Sequence, residues 1–338
     1  MEKKQIEQLI QKGLFPFEQQ AKVRLIETAI SYVILKGSYA YKIKKNSKLS
    51  FLDFSTLKKR RHYCYEELRL NKRLAKEMYL DVLSVTQNKN QWKISKTAAG
   101  AIDYAVLMKR MNPLHQLNVL LKKNNIQTHT IKDLGKTIAS FHLKEKSLII
   151  PYDPFFLSRE FADIRHFNTT IENCAGEEYT HLVLVSIQLS DSFIILQQDF
   201  IRSRVKDGYV KNCHGDLHSQ NIFIEKKPVI FDCIEFRDAF RQIDVLNEIA
   251  FLCMDLEIHG QKSFSKLFLK TYLNNTGFLF GPKEKLLFIY FKAYRACIRA
   301  KVSAIALAQH PDDVSLQSDV KKYIKAMAVY LTEAVAAM

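Results

Sequence analysis

The stretch that decides the fold runs from His214 to Asp232 and reads HGDLHSQNIFIEKKPVIFD. It opens with a polar loop that contains Asp216 and, five residues later, Asn221. Two short apolar runs follow, joined by the turn at 225–228, and this pattern predicts a β-hairpin. Because Asp232 ends the second run, the hairpin is expected to place it opposite the loop.

These residue types suit phosphoryl transfer from a nucleotide. That reaction requires an oriented hydroxyl acceptor and a divalent metal that bridges phosphate oxygens. Asp216 is the candidate catalytic residue, since its carboxylate can accept the proton or the hydrogen bond of the acceptor hydroxyl. Asn221 and Asp232 are the candidate metal ligands, because Mg²⁺ prefers hard oxygen ligands.

Two ordinary explanations compete with this interpretation. Asx residues favour turns, so the set could be only a polar turn and hairpin. His214, Asp216 and His218 could instead ligate the metal of a hydrolase, although that would leave Asn221 and Asp232 without a role. We expect His214 to brace the loop, whereas His218 could face the acceptor or be packed.

The stretch resembles the catalytic loop and metal-binding aspartate of the aminoglycoside phosphotransferase family, which has a protein-kinase-like fold. The resemblance extends, from about residue 28 to 302, to a subgroup of uncharacterised phosphotransferase-like proteins. It implies a bilobal α+β fold, with a small β-rich, nucleotide-binding N-lobe at 1–111. The larger helical C-lobe at 112–338 would hold the catalytic loop, the metal and the acceptor site. The matching stretches are YAYKIKK at 39–45, FLDFSTLKKRRHYCYEELRLNKRL at 51–74, FDCIEFRDAFRQIDVLNEIAFLCMDLE at 231–257 and YFKAYRACIRAKV at 290–302.

The resemblance also implies a lysine–glutamate pair in the N-lobe. Lys42 matches the strand lysine that contacts the nucleotide phosphates. Lys44 is the second choice, because it lies two residues further along the same strand face. Glu67 matches the helix carboxylate that pairs with this lysine, with Glu66 as the alternative.

Residues 106–111 resemble the interlobe hinge of the family. There the backbone of Lys109 and Met111 would hydrogen-bond an adenine, and Met108 would lie at the back of the pocket. The glycine-rich loop of protein kinases is absent from the sequence, so backbone at 27–31 would have to cover the phosphates. Cys233 and not Phe follows the metal aspartate, so a protein-kinase activation switch is not expected.

Relatives in the subgroup often carry a fused P-loop ATPase half. The run at 135–137, Gly-Lys-Thr, looks like the end of a P-loop, but Thr130 stands where the upstream glycine is required. We therefore expect this chain to lack that half.

The formal charge of +16 invites a nucleic-acid interpretation, but its distribution argues otherwise. Residues 1–150 carry 29 basic and 12 acidic side chains, a net of +17, and the rest of the chain has a net of −1. The positive half is the one expected to bind a triphosphate. We expect a nucleotide and a small hydroxyl-bearing molecule as partners, and neither nucleic acid nor a membrane.

The six cysteines are scattered, with no C-x-x-C pair, which is typical of reduced thiols in a cytoplasm. The N-terminus has no apolar signal-peptide core, and no uncharged apolar stretch is long enough to span a membrane. We expect a cytoplasmic protein. Periodicity and turn signals predict helices at 1–13, 55–78, 131–143 and 179–205, hairpins at 29–45, 82–96 and 213–236, and a strand at 101–111.

The sequence hypothesis is a phosphotransferase that uses ATP or GTP with Mg²⁺ and moves the γ-phosphate to a hydroxyl of a small polar molecule, like an aminoglycoside kinase. The alternative is a catalytically weak nucleotide-binding or regulatory protein of the same fold. We expect Asp244 to support the catalytic loop from a helix N-terminus. Arg295 is expected to have a structural role.

Overall fold

The computed structural model describes residues 1–18, 20–49, 52–89, 91–97, 99–149, 151, 153 and 155–338. These residues form two compact units, which are described separately. The first comprises Met1–Leu120 with Gln220–Phe240, and the second Leu121–Ser219 with Arg241–Met338. The predicted metal ligands Asn221 and Asp232 thus belong to the same unit as Lys42, whereas the sequence analysis assigned them to the C-lobe.

A six-stranded antiparallel sheet forms the centre of the first unit. The strands lie in the order β1-β2-β3-β6-β4-β5. Two predicted hairpins are confirmed as β2–β3, which turns at Gly37 with φ +55°, and as β4–β5. Residue 90 of the turn predicted between β4 and β5 lies outside the described residues. The strands are β1 (Val23–Glu27), β2 (Ser31–Lys36), β3 (Tyr39–Lys44), β4 (Tyr79–Asn88), β5 (Gln91–Ser95) and β6 (Ala101–Lys109).

The two faces of this sheet are covered by different apolar clusters, because side chains alternate along a strand. Tyr41 and Ile43 of β3 belong to a cluster that also contains Ile6 and Leu9 of α1 (Lys3–Lys12). Ala40 belongs to the opposite cluster, which includes residues of α2 (Leu57–Asn71). The parity of β3 therefore places Lys42 and Lys44 on the face towards α2.

The helix α2 and a β-hairpin carry the remaining predicted site residues of the first unit. Thr56 caps α2 by accepting a 3.2 Å hydrogen bond from the N–H of Lys59. The strands β8 (Ile222–Ile224) and β9 (Pro228–Ile230) form the predicted hairpin, with Ile222 opposite Ile230. The register places Asn221 beside Phe231, whose N–H donates to the Asn221 carbonyl at 3.0 Å.

The second unit is helical, apart from the short pair β7 (Val210–Asn212) and β10 (Gln242–Asp244). Its longest helix is also apolar enough to cross a membrane by length and composition alone, with a mean hydropathy of 1.4. One such helix is weak evidence for a membrane span, since a core helix of a soluble protein passes the same test; 44% of the apolar window is buried in the structure. The helices are α4 (Thr128–Lys144), α5 (Phe155–Ala162), α6 (Asn168–Ala175), α7 (Glu177–Lys206), α8 (Val245–Ile258), α9 (Lys262–Thr276), α10 (Pro282–Gln309) and α11 (Val314–Ala336); the chain enters this unit within α3 (Leu117–Lys122).

The predicted bilobal α+β fold is confirmed, and most predicted elements are present. The sequence analysis missed β1, β7 and β10. The last two are only three residues long and carry no recognisable alternation. It also extended α2 to residue 78, whereas the helix ends at Asn71 and two short turns follow before β4.

Candidate active site

Lys42 lies between two carboxylates in the first unit. Its Nζ is 2.8 Å from Oε1 of Glu67 on α2, and it donates a 2.6 Å hydrogen bond to Oδ1 of Asp232 after β9. The Lys42 side chain is 12% exposed, Glu67 is fully buried and Asp232 is 43% exposed. The structure therefore brings together three of the predicted site residues, which lie up to 190 positions apart in the sequence.

Lys44 uses the other oxygen of the same glutamate. Its Nζ donates to Oε2 of Glu67 at 2.6 Å and also to Oε1 of Glu235, which follows Asp232 by three residues. Lys44 is only 1% exposed and its ammonium lies 4.8 Å from the centre of the Phe54 ring. Glu66, the alternative to Glu67, instead pairs on the exposed side of α2 with Arg69.

The charges in this cluster fix the ionisation of its members. Burial alone would raise the pKa of Glu67, but the ammonium groups of Lys42 and Lys44 lower it from 4.5 to about 2. Burial opposes the charge of Lys42, yet Asp232 and Glu67 together raise its pKa well above the ordinary value. Burial raises the pKa of Glu235, and Lys44 only partly offsets this effect.

The Asp232 backbone is held in a conformation that non-glycine residues rarely adopt, with φ +64°. Its N–H donates to the hydroxyl of Tyr79 at 3.3 Å, and the N–H of Cys233 donates to Oδ1 of Asn71 at 2.9 Å. For a non-glycine residue this left-handed backbone conformation costs about 1–3 kcal/mol of free energy, and it persists only where surrounding contacts hold it. The carboxylate of Asp232 is thus aimed by contacts from α2 and β4.

The predicted hinge lies at the end of β6. Met108 is buried and the N–H of Lys109 donates to the carbonyl of Met78 at 2.8 Å, so only the carbonyl of Lys109 can serve a base. Met111 is half-buried and packs on the same apolar cluster as Ala40 and Phe223. This cluster forms an apolar wall beside the predicted hinge. The predicted phosphate cover at 27–31 forms the β1–β2 turn.

The loop at 214–219, which the sequence analysis predicts to be the catalytic loop, is held by one face of α8 in the second unit. The carboxylate of Glu248 accepts hydrogen bonds from the N–H of His214 at 2.6 Å and of Gly215 at 2.9 Å. Two turns further on, Oδ2 of Asp255 accepts from the N–H of Ser219 at 2.8 Å. Sequence reasoning missed both acids; the signal was their spacing of seven residues, which puts Glu248 and Asp255 on one face of a mostly apolar helix.

Arg295 of α10 fastens the same loop through a carbonyl. Its Nη1 donates to the Gly215 carbonyl at 2.9 Å, and its Nε donates to Oδ1 of Asn247 at 2.6 Å. Gly215 has φ +87°, a region open to glycine at little cost, and both its N–H and its carbonyl are held. The expected structural role of Arg295 is therefore observed as loop support.

Asp216 has positively charged or basic neighbours in the second unit. Its Oδ2 is 3.3 Å from Nε2 of His218, and its side chain is 32% exposed. Its N–H donates to Nδ1 of His214, which braces the loop as expected. Burial alone would raise the pKa of Asp216, but His218, followed by Arg299, holds it well below its ordinary range. The carboxylate is therefore ionised at neutral pH.

The expectation for Asp244 is wrong in one respect. Asp244 caps the N-terminus of α8, as predicted, by accepting from the N–H of Leu246 at 2.8 Å. Its carboxylate is otherwise engaged by Arg204 of α7, at 2.6 and 2.9 Å. The contact with the catalytic loop comes instead from Glu248, because one more helical turn brings the side chain beneath His214.

Among the described residues, one buried group has the composition of a metal site: His142, Cys213 and Glu248, with ligand atoms within 4.8 Å of one another. Both oxygens of Glu248 already accept backbone hydrogen bonds, and Nδ1 of His142 lies 2.8 Å from the hydroxyl of Tyr272. A mixed nitrogen, sulfur and oxygen set is also unlike the oxygen ligands of Mg²⁺. We interpret this group as packing beneath the loop.

No protein-family model matches the chain. Uncharacterised proteins of Mycobacterium tuberculosis and Mycobacterium bovis are each 27% identical to it over 292 residues. These matches cover 84% of this chain but 55% of the relatives, so the chain spans about half the length of the curated relatives it matches.

Solved structures with a similar fold are small-molecule kinases. A choline kinase from Cryptosporidium parvum has a TM-score of 0.57 at 11% identity, over 95% of this chain and 91% of its own. An amicoumacin kinase in complex with AMP-PNP and Ca²⁺ has a TM-score of 0.55 at 12% identity, covering 97% and 94%. A choline/ethanolamine kinase family protein from Mesorhizobium loti has a TM-score of 0.52 at 12% identity, covering 94% and 92%. The chain therefore has the protein-kinase-like fold of small-molecule kinases, and the predicted resemblance is confirmed at the level of the fold.

Proposed function

We propose that this chain is an NTP-dependent phosphotransferase that moves the γ-phosphate of ATP, or of GTP, to a hydroxyl of a small polar molecule. The observation that carries the proposal is the position of Lys42, between Glu67 and Asp232. A lysine held by a helix glutamate and next to a metal-type aspartate is the arrangement that kinase chemistry uses to position phosphates. The fold it shares with small-molecule kinases supports the same class of reaction.

Lys42 is the better candidate than Lys44 for the phosphates. It retains 12% exposure and its partner Asp232 is 43% exposed, so Lys42 can exchange this contact for a phosphate oxygen. Lys44 is enclosed by Glu67, Glu235 and the Phe54 ring. The base would rest against the apolar wall of Met108 and Met111, with the carbonyl of Lys109 as one hydrogen-bonding group.

The proposed metal is Mg²⁺, and the donor set fits it. Asn221 offers an amide oxygen and Asp232 a carboxylate, and the hairpin register puts them at the same end of β8 and β9. When bound, the metal would neutralise charge on the phosphates. Contacts from Tyr79 and Asn71 to the backbone at 232–233 fix the direction of the Asp232 carboxylate beforehand.

Asp216 is proposed to act on the acceptor. Because its pKa is held low, it is present as a carboxylate that can accept the hydrogen bond of the acceptor hydroxyl. In transfer, the hydroxyl oxygen forms a bond to the γ-phosphorus, the bond from that phosphorus to the leaving diphosphate breaks, and the hydroxyl proton passes to Asp216. The three contacts on the backbone at 214–219 would hold this carboxylate in place.

A γ-phosphate transfer screen over hydroxyl-bearing metabolites, choline-like alcohols and aminoglycosides tests the proposal. We expect Mg²⁺-dependent turnover of at least one acceptor and a loss of about 10²- to 10⁴-fold in Asp216→Asn, the range for a general base. Asp199→Asn, an exposed aspartate of α7 paired with Arg202, is the matched control. Full activity of Asp216→Asn would refute the mechanism, and absence of nucleotide binding at millimolar Mg²⁺–ATP would refute the function.

The alternative, a regulatory nucleotide-binding protein, predicts binding without turnover. The sequence retains every residue of the proposed machinery, and this argues against the alternative, because nucleotide binding alone does not need Asp216. These residues are Lys42, Glu67, Asp216, Asn221 and Asp232. The transfer screen distinguishes the phosphotransferase from the regulatory protein. Only a phosphotransferase has a turnover rate that Asp216→Asn can lower. We further propose that the protein acts in the cytoplasm, which fits its six scattered cysteines without a C-x-x-C pair.

A further inference from the structure

Lys44 and Glu235 form an ion pair that the proposed phosphate and metal contacts do not use. Lys44 is 1% exposed and the Glu235 side chain is 4% exposed. A buried charged pair of this kind is costly to form, because both groups lose their hydration. Its presence next to the proposed phosphate lysine calls for a physical explanation.

The pair closes a ring of charges around Glu67. Each oxygen of Glu67 contacts one lysine, Lys42 on one side and Lys44 on the other. Lys42 continues to Asp232 and Lys44 to Glu235. The segment Asp232–Glu235 is therefore fastened at both ends to the same strand, β3.

The two ends of this segment differ in how easily they can be released. The Lys42–Asp232 contact is partly exposed and involves both the proposed phosphate lysine and a proposed metal ligand. When a triphosphate binds, Lys42 has to give up part of this contact. The Lys44–Glu235 contact is buried and is used neither by the proposed nucleotide nor by the proposed metal. This ion pair can therefore stay formed while the nucleotide binds.

The Asp232 backbone explains why a permanent fastening is useful. Its φ of +64° is strained for a non-glycine residue, and the strain persists only while neighbouring contacts hold the segment. Once Lys42 turns to the phosphates, the N–H contacts to Tyr79 and Asn71 and the Glu235 anchor remain.

We propose that Lys44 and Glu235 are positioning residues that hold the Asp232–Glu235 segment against β3, so that Asp232 keeps its direction as a metal ligand when Lys42 engages the nucleotide. Lys44 also pairs with Oε2 of Glu67, so that Oε1 of the same carboxylate pairs with Lys42. The inference rests on the proposed function, but the anchoring of the segment can be measured without any ligand.

The first experiment measures binding of Mn²⁺ in the presence of AMP-PNP, from the electron paramagnetic resonance signal of free Mn²⁺. Glu235→Ala removes the anchor, and we expect it to weaken Mn²⁺ binding at least tenfold while AMP-PNP binding without metal changes less than threefold. Glu235→Gln keeps a hydrogen bond to Lys44 and is expected to stay within threefold for both. Lys96→Met is the matched control, because Lys96 is an exposed lysine after β5 whose partner, Asp81, lies outside the proposed site.

The second experiment needs no nucleotide and follows amide hydrogen exchange at residues 231–236. We expect Glu235→Ala to exchange at least tenfold faster there, at the Cys233 amide above all, and the control Lys96→Met to match the native chain. If Glu235→Ala does not fold, Lys44→Met removes the same contact from the strand side and carries the same expectations.

The outcomes separate the two proposals. Unchanged amide exchange at 231–236 in Glu235→Ala would refute the proposed role of Lys44 and Glu235, whether or not the protein is a phosphotransferase. Equal losses of Mn²⁺ affinity in the glutamine and alanine variants would also refute it, because they would reflect the charge of Glu235 and not its position. If the native protein bound no Mn²⁺ with AMP-PNP, the proposed function would fail, while the exchange result would still decide the anchor.

Discussion

The carboxylate of Glu248 accepts a 2.6 Å hydrogen bond from the backbone N–H of His214, which lies 34 residues earlier in the chain. Its other oxygen accepts from the N–H of Gly215 at 2.9 Å. Glu248 is fully buried, so loss of its carboxylate would leave both N–H groups away from bulk water. The loop that precedes Asp216 thus depends on a side chain of α8.

We expect Glu248→Ala to destabilise the protein by about 1–3 kcal/mol for each buried N–H left without an acceptor. Turnover should fall further than the loss of folded protein explains, because the loop would no longer hold Asp216 in place. Urea unfolding and steady-state kinetics measure the two effects. Glu172→Ala, at an exposed position of α6, is the control. Native stability in Glu248→Ala would show that the loop is held by other means.

The pKa of Glu67 predicts a pH-dependent contribution to stability. Burial would raise this pKa, but Lys42 and Lys44 lower it from 4.5 to about 2 in the folded protein. A depressed carboxyl pKa stabilises the fold fully above the unfolded value, and this stability is lost as the pH falls from about 4.5 towards 2. The raised pKa of Glu235 contributes with the opposite sign.

We therefore expect Glu67→Gln to be less stable than the native protein by about 3–5 kcal/mol at pH 7, the cost of breaking a buried ion pair. The difference should shrink as the pH falls below 4.5. Urea unfolding at pH 7, 4.5 and 3 measures it, with Glu66→Gln on the exposed side of α2 as the control. A difference that stayed constant between pH 7 and pH 3 would contradict this assignment.

Replacement of Lys42 should weaken binding of ATP but not of adenosine. Lys42 is proposed to contact phosphates, and a charge-assisted hydrogen bond contributes about 1.5–3 kcal/mol, or tenfold or more in affinity. Isothermal titration of Lys42→Met with ATP and with adenosine measures the contrast. Lys96→Met, which removes an exposed lysine paired with Asp81, should bind both like the native protein. A parallel loss of adenosine affinity in Lys42→Met would mean that the variant disturbs the base site.

Reactivity of the six cysteines should follow their burial. Burial raises the pKa of Cys64, Cys253 and Cys297 to about 12 and also raises that of Cys174, which is the one cysteine not fully buried. Because the thiolate is the reactive form, we expect one thiol to react with a disulfide reagent at pH 8 in the native state and six in denaturant. Loss of the native reaction in Cys174→Ser identifies the site.

Much of the proposed site could be predicted from the sequence, because its residues lie in short local patterns. The spacing from Asp216 to Asn221 and the hairpin that ends at Asp232 are local features. The parity of β3 places Lys42 and Lys44 on one face from sequence alone, since strand side chains alternate with a period of two. The structure confirms this shared face.

The support of the catalytic loop could not be predicted in the same way. Asp244 and Glu248 lie one helical turn apart, and a local pattern does not say which of them faces the loop. Arg204 of α7 engages Asp244, and this contact depends on a neighbouring helix that lies 40 residues away in the chain. The same applies to Glu66 and Glu67, which are adjacent on α2 and point in different directions.

The sequence by itself determined the polar loop at 214–221 and the hairpin that ends at Asp232, because these follow from turn chemistry and spacing, while its resemblance to a known family implied the bilobal fold and the pair Lys42 and Glu67. The tertiary structure decided the partners: Glu67 for both lysines, Glu235 for Lys44 and Glu248 for the catalytic loop. Ion pairs and hydrogen bonds between distant segments depend on the rotation and register of packed elements, which no local pattern specifies. For that reason Lys44, a second choice from the sequence, is in the structure the buried partner of Glu235.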